Sequence, residues 1–387
     1  MMLGLVLARA GVEVLVLEKH ADFLRDFRGD TIHPSTLEVI YELGLLEGLL
    51  KLPHQEAPVV MAQFGDLVFP IADFSHLPVR CKFIAFMPQW DFLNFLAEAA
   101  ERYPTFHLRM NAEATDLIEE AGRPVGVRVT TPEGPLEVRA ELVVAADGRH
   151  STLRKAAAMP VVQRGAPMDV LWFGLSRRPD DPAQPVGRFG GGRIFIMLNR
   201  GNYWQCGFVI RKGSIDEVRA RGLEAFRAAV AQAAPFVADR VEELRDWDEI
   251  KLLTVAVDRM PRWYRGGLLF IGDAAHAMSP IGGVGVNLAI QDAVAAANII
   301  AGPLAEGRLE TDDLAAVQRR REFPTRVTQW FQVMMQNRVV TRALEDADSF
   351  KPPLLIRLMA RIPPLRRMPA RLMGMGVRPE HVAPNVK

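Results

Sequence analysis

The chain has 387 residues, 49% hydrophobic and 24% charged, enough to bury a large core in more than one lobe. Its 47 Lys and Arg balance 46 Asp and Glu for a formal net charge of +1, so bulk charge makes no case for nucleic acid. The two distant cysteines, Cys81 and Cys206, suggest neither a disulfide framework nor a zinc site and suit a reducing cytosol, and no run of about 18 apolar residues argues for a membrane span.

The opening, MMLGLVLARAGVEVLVLEKH, predicts a helix with Leu3, Leu5, Val6, Leu7 and Ala10 on its apolar face, stopped by Gly11. A buried parallel strand, Val12 to Glu18, follows. Arg9 and Glu13 interrupt the apolar run and there is no basic start, so the segment reads as core rather than signal peptide. HPSTLEVIYELGLLEGLL predicts a helix after Pro34, capped by Ser35 and Thr36, with Leu37, Ile40, Leu43 and Leu46 inward. Short strands are expected from Ala57 to Phe86. PQWDFLNFLAEAAERYP is then an amphipathic helix with Phe92, Leu93, Phe95, Leu96 and Ala99 inward. Strand pairs lead to a second buried strand, Glu141 to Asp147. Between about Val161 and Val257, DVLWFGLS, GRIFIMLN and YWQCGFVIRKG predict antiparallel strands, and Ser214 to Leu244 predicts helix. GGLLFIGDAAH is a third buried strand, and VGVNLAIQDAVAAANIIAGPL a helix opened by glycines. Beyond about Thr311 the chain is helical with proline breaks. A β-rich lobe is thus inserted into a parallel α/β lobe.

Helix, glycine, strand and then Glu18 form the second half of a βαβ dinucleotide-binding unit, in which an acidic residue ending the second strand takes the adenosine ribose. The first half, a strand and a G-x-G-x-x-G turn, is not among these residues. The expectation is that about a dozen residues before Met1 have been lost. DGRHSTLR, Asp147 to Arg154, makes a tight turn from which Ser151 and Arg154 can face a pyrophosphate. LLFIGDAAHAMSPIGGVGVNLAIQDA is the stronger signal. Asp273 ends a buried strand and can accept from a sugar hydroxyl. Gly282, Gly283 and Gly285 admit close approach of a flat ligand, and the next helix turns its positive end toward it.

These motifs, in this order, resemble the flavoprotein monooxygenases of the para-hydroxybenzoate hydroxylase type, over about residues 1 to 300. The resemblance implies FAD as cofactor and NAD(P)H as co-substrate. It implies Glu18 on the adenosine ribose, Arg28 near the phosphates, Gln89 beside the flavin chain, and Asp147 in the Asp-Gly turn. Asp273 would hold the ribityl chain, and Pro280, Gly282, Gly285, Val286 and Asn287 would line the isoalloxazine. It also implies an oxidoreductase that hydroxylates an aromatic or other electron-rich small molecule with O2, through a flavin hydroperoxide. No catalytic triad and no metal are implied.

The expected fold is α/β. An FAD-binding Rossmann-like lobe (1–56, 87–160, 263–310), its first strand missing, carries a β-rich substrate lobe (57–86, 161–262) and C-terminal helices (311–387). His276 reads as a structural loop residue rather than a base, and His33 and His54 lack metal-ligand spacing. Trp172, Tyr203 and Trp204 suit a pocket wall and core packing equally. Residues 351–387 hold 8 Lys or Arg against 1 Glu, read as a solvated face rather than a membrane contact. A cytoplasmic location is expected. Other enzymes of the same fold, a non-catalytic binding protein and a membrane-associated quinone-pathway protein remain as alternatives; a W-x-W-x-I-P halogenase motif is not present.

Overall fold

The structure is a computed structural model that describes residues 1–24, 31–65, 67–182, 186–190, 192–345 and 354–383. Its first core forms around the helix Gly285–Ala305, whose Ile290, Val294, Ala297 and Ile300 pack with Leu5, Val6, Leu37, Ile40 and Leu96. Alanines at 293, 295, 296 and 297 let neighbouring helices approach closely. By length and hydropathy Ile281–Ala305 is a candidate membrane span, but 67% of its apolar window is buried inside the protein. Asn287, Gln291 and Asp292 interrupt its apolar run. All three are buried and bonded within the protein.

The helix Met2–Arg9 lies against that core and ends as expected, with Gly11 at φ +83°. Gly4 is required there: a methyl group would fall 2.8 Å from Val16 Cγ2 and 3.0 Å from the Phe106 ring. The strand Val14–Leu17 pairs in parallel with Phe106–Arg109, in the register Val14 to Phe106. It is not the buried strand the sequence suggested, since Leu15 is 43% exposed. Val143–Ala145, shorter than the expected Glu141 to Asp147, pairs in parallel with the fully buried Leu268–Phe270. Among the described residues neither Val14–Leu17 nor Val143–Ala145 is paired on its other edge, and both edges border one cavity.

Ser35 and Thr36 do not cap the second helix. His33 holds the cap position of Pro34–Glu42, with Pro34 in the first turn, where its missing N–H is no loss. Thr36 is buried instead and donates to Asn287 Oδ1 at 2.7 Å.

The β-rich lobe is one seven-stranded sheet in the order Lys251–Leu253, Met168–Ser176, Tyr203–Arg211, Arg193–Asn199, Val186–Gly190, Val59–Phe64, Leu67–Asp73. All pairs are antiparallel except Val186–Gly190 with Val59–Phe64, which draws the early hairpin into the later sheet. One face packs Phe173, Phe195 and Trp204 against Phe226 and Val230. The covering segment was expected as continuous helix. It is split at Gly222 (φ +88°) and at Pro235 into Ile215–Ala220, Leu223–Ala233 and a 3-10 turn, Pro235–Glu243. That turn is tied down by Arg240, bidentate to Asp181 at 2.7 and 2.9 Å, with the Trp204 indole donating to the same carboxylate at 2.8 Å. The Arg240 hydrogen bond holds the Asp181 carboxyl far below the ordinary range, against the burial that would raise it.

In the C-terminal region Glu310 and Asp313 form a capping box for Thr311–Met335. Pro324 lies inside this helix and does not break it. Thr328 Oγ1 donates to the Pro324 carbonyl at 2.9 Å. A π-turn, Gln336–Val340, and the helices Thr341–Glu345, Leu354–Arg361 and Arg367–Gly374 then cap the junction of the two lobes.

Candidate active site

A cavity of about 2480 Å³ is lined by the helix Met2–Arg9 and, in the other lobe, by the face of the seven-stranded sheet opposite Phe173 and Trp204. Glu18, Asp147, His150, Asp273 and Pro280 to Gly283 line it, as do Trp172, Phe331 and Met334.

The wall around Asp273 is built on Leu268–Phe270. This strand delivers the chain into Gly272, at φ +56°, where a methyl group would fall 2.9 Å from Ala289 Cβ. Gly272 N–H donates to Asp292 Oδ2 at 3.1 Å. Asp292 also takes His276 Nε2 at 2.6 Å and Arg321 Nε at 2.9 Å, and Arg321 reaches Glu380 at 3.0 Å. Burial would raise the Asp292 carboxyl, but His276 and Arg321 outweigh it and hold the group below its usual range. His276, packed 4.7 Å from Trp263, is therefore a structural anchor. With the turn fixed from beneath, Asp273 is presented, exposed, to the cavity.

The next turn is held by glutamines. Gln332 accepts from Ser279 N at 3.2 Å and donates to the Ser279 and Ile281 carbonyls at 2.9 and 3.0 Å. Gln336 donates to Ser279 Oγ at 2.7 Å, and Gln329 to the Asp258 and Ala277 carbonyls. None of these was singled out from sequence. The available signal was the spacing 329, 332, 336, one face of a helix, polar where an apolar stripe is the norm.

Pro280, Gly282, Gly285 and Val286 line the cavity. Gly282 and Gly283 have φ of +78° and +62°. A methyl group at Gly283 would fall 2.3 Å from Thr31 Oγ1, which itself donates to the Gly283 carbonyl at 2.8 Å. The helix Gly285–Ala305 has no side-chain cap, and its first residues, Gly285 and Val286, line the cavity.

Asn287 is not part of the wall. Its Oδ1 accepts from His33 N and Thr36 Oγ1 at 2.8 and 2.7 Å, and its Nδ2 donates to the Thr31 and Gly283 carbonyls at 3.1 and 3.2 Å. It acts as a clamp behind the glycines. Beside it His33 is buried, its Nδ1 2.6 Å from the Met373 carbonyl. Burial pushes its pKa down to about 4, so the ring is neutral at pH 7.

Glu18 lines the cavity and accepts from His20 N at 3.0 Å. Gln89, first residue of the helix Gln89–Ala100, lines the cavity half-buried. Asp147 lines it too and accepts from Leu153 N at 3.2 Å. Arg28 lies outside the described residues. The expectation that Ser151 and Arg154 face a pyrophosphate is corrected. Ser151 is buried and caps Thr152–Ala156 through Arg154 N. The Arg154 guanidinium turns inward to the Ala274 and Arg149 carbonyls at 3.0 and 2.7 Å, bolting the Asp-Gly turn to the Gly-Asp turn.

Carboxylates, a glycine turn and the start of a helix lining one cavity fit a dinucleotide with a flat, electron-accepting ring. Comparison with known proteins agrees. A family described as FAD binding domain matches residues 1–331. The chain is 31% identical over 372 residues to 6-methylpretetramide 4-monooxygenase of Streptomyces rimosus, covering 96% of this chain and 88% of that one. It is 28% identical over 315 residues to 12-dehydrotetracycline 5-monooxygenase/anhydrotetracycline 6-monooxygenase of the same species, covering 76% of this chain but 59% of that one. The solved structure of the OxyS anhydrotetracycline hydroxylase from Streptomyces rimosus superposes with a TM-score of 0.74 at 26% identity, over 96% of this chain and 73% of that one.

Proposed function

This chain belongs to the FAD-binding-domain family of class A flavoprotein monooxygenases, and on that premise we propose that it hydroxylates a flat, polycyclic phenol, with NAD(P)H as reductant and O2 as oxygen source. It is an FAD-dependent oxidoreductase of the monooxygenase type. The observation that carries the substrate class is the continuity of the cavity. Beyond the glycine cradle it opens into a chamber walled by Trp172, Ile196, Phe331 and Met334, broad and apolar enough for fused rings. Relatives named for tetracycline-pathway steps support that size.

FAD supplies the electron-accepting and oxygen-activating chemistry when bound. The protein's part is placement. In this reading Glu18 takes the adenosine ribose, Arg28 and the Asp147 turn the phosphates, and Asp273 the ribityl chain. Gln89 lies beside the chain, and Pro280, Gly282, Gly285 and Val286 face the ring, with Asn287 holding the glycines from behind. The N–H groups opening Gly285–Ala305 favour negative charge on the ring edge nearest them. Ile356, Met359, Leu365 and Met373, from the C-terminal helices, close the chamber with apolar side chains and exclude water from the reacting ring.

The test is isotopic. The FAD-loaded protein, given NAD(P)H and a hydroxylated polycyclic aromatic under oxygen-18 gas, should place one labelled atom in the product and oxidise NAD(P)H faster with the aromatic than without. No label from the gas, together with oxidation indifferent to the aromatic, would overturn the reading.

A further inference from the structure

Trp172 and Trp204 stand on opposite faces of the seven-stranded sheet. Side chains alternate along Met168–Ser176. Leu171 and Phe173 are fully buried in the cluster that holds Phe226 and Trp204, while Trp172 between them turns to the other face and lines the cavity. In the strand pairing Trp172 lies opposite Gly207, and Gly207 lies opposite Ile196. Gly207 runs against ordinary strand preference. It sits in the middle of Tyr203–Arg211, a strand paired on both sides, where a glycine weakens the pairing. Backbone conformation does not demand it, because its φ is not positive.

Space demands it. A methyl group at Gly207 would fall 2.9, 3.0 and 3.3 Å from Cζ3, Cη2 and Cε3 of Trp172, three adjacent atoms of the six-membered ring. Near-equal distances to adjacent ring atoms arise when the ring is met on its face, not on its edge. One face of the indole therefore lies flat over the Gly207 backbone, and the other is turned to the cavity. Trp172 and Ile281, the latter from the glycine turn, both pack against the cluster of Val170, Ile194 and Val209. The flat surface of the indole thus belongs to the same apolar wall as the turn assigned to the flavin ring.

Resting on the reading of this cavity as the aromatic site, we propose that Trp172 and Gly207 together set the size of the ring system it accepts. The outer face of the indole is the surface on which fused rings stack, and Gly207 keeps that surface flush with the sheet. Stacking adds to the apolar area that a ring buries, so a two-ring phenol gains more from Trp172 than a one-ring phenol. The selection comes from contact area and dispersion and requires no charge. A side chain at position 207 would lift the indole off the sheet and into the space the second ring needs. Trp172 is thus a substrate contact, and Gly207 a positioning residue that acts through it.

The FAD-loaded protein, oxidised and without NAD(P)H so that nothing turns over, is titrated with 2-naphthol and with phenol by calorimetry. The wild type should bind 2-naphthol more tightly than phenol. W172L keeps an apolar side chain but no aromatic face. It should lower the affinity for 2-naphthol about fivefold to tenfold and leave that for phenol nearly unchanged, and W172F should retain part of the preference. G207A should reduce 2-naphthol binding as W172L does. The same change should have no effect on the preference once Trp172 is alanine, since the methyl group then meets no ring. A preference unchanged in W172L and G207A would make Trp172 core packing and overturn the proposal, leaving the monooxygenase reading standing. Equal losses for both phenols, in step with the denaturant midpoint, would overturn it in the same way. A G207A effect of the same size in the W172A background would overturn the pairing of the two residues. A wild type that binds neither phenol would overturn this proposal and the aromatic-site reading together.

Discussion

Arg321 Nε lies 2.9 Å from Asp292 Oδ1, inside a contact between two long helices where both side chains are no more than 1% exposed. This ion pair is not an isolated ornament of the core. The other oxygen of Asp292 holds the Gly272 N–H, and Arg321 passes on to Glu380. A chain of hydrogen bonds therefore connects the C-terminal segment to the turn that presents Asp273.

Removing the central anion leaves Arg321 buried beside a single carboxylate, and asparagine offers one amide oxygen where two carboxylate oxygens served Gly272, His276 and Arg321. Asp292→Asn is expected to destabilise by about 3–5 kcal/mol and to release FAD. Glu380→Gln should do less, because Arg321 keeps Asp292. Denaturant midpoints and flavin content of the purified variants check the order.

Asp273→Ala should weaken FAD retention by roughly 1.5–3 kcal/mol, the range of a hydrogen bond to a charged group, without a comparable shift in the denaturant midpoint of the flavin-free protein. Equilibrium dialysis against FAD measures it. Full retention would remove Asp273 from the cofactor contacts.

Gly283→Ala places a methyl group 2.3 Å from Thr31 Oγ1 at φ +62°. Two penalties are present, and they separate in a double-mutant cycle. Thr31→Ala added to Gly283→Ala should recover the steric part. The left-handed backbone penalty of about 1 kcal/mol remains. Thermal unfolding with and without FAD would show it.

His33 contributes a pH-dependent stability of definite sign. Its folded pKa of about 4 lies below the unfolded value near 6.5. The folded protein therefore binds fewer protons in that window, and stability is lost as pH falls through it. The contribution between pH 7 and pH 5 is about 2 kcal/mol. His33→Gln should flatten the dependence of the urea midpoint over that range by that amount. An unchanged slope would mean that the ring is protonated without disturbing the fold.

The parts of the fold legible in the sequence were those with one dominant period. The strands DVLWFGLS and YWQCGFVIRKG, the helix after PQW, and the glycine-led helix from Gly285 all follow their apolar spacing. Glu18, Asp147 and Asp273 follow within three residues of a strand, and all three line the cavity, as chain leaving a parallel strand tends to do. What failed was direction. Arg154 read as a surface cation facing a phosphate, yet nothing local says that two carbonyls, one 120 residues away, will turn it inward. Asn287 read as wall and proved to be clamp for the same reason, since its partners His33 and Thr36 are more than 250 positions distant. Ser35 and Thr36 fit the cap pattern, but Pro34 needs the first turn and shifts the cap to His33.

The two strand edges bordering the cavity bear on how this polypeptide behaves in concentrated solution. An unpaired parallel edge is a template for another chain, and two facing one slot invite a foreign strand or a neighbouring molecule. Acidic residues flank both: Glu13 and Glu18 beside Val14–Leu17, Glu141 and Asp147 beside Val143–Ala145, all lining the slot. Glu13, Glu18, Glu113, Glu141 and Asp147 outnumber Lys19, Arg139 and Arg149 in that lining; a net charge of this kind acts as a gatekeeper against aggregation, and its reach is about 10 Å at 0.1 M salt and about 3 Å at 1 M. Light scattering should therefore rise with ionic strength, the opposite of the response expected where attraction between unlike charges drives association.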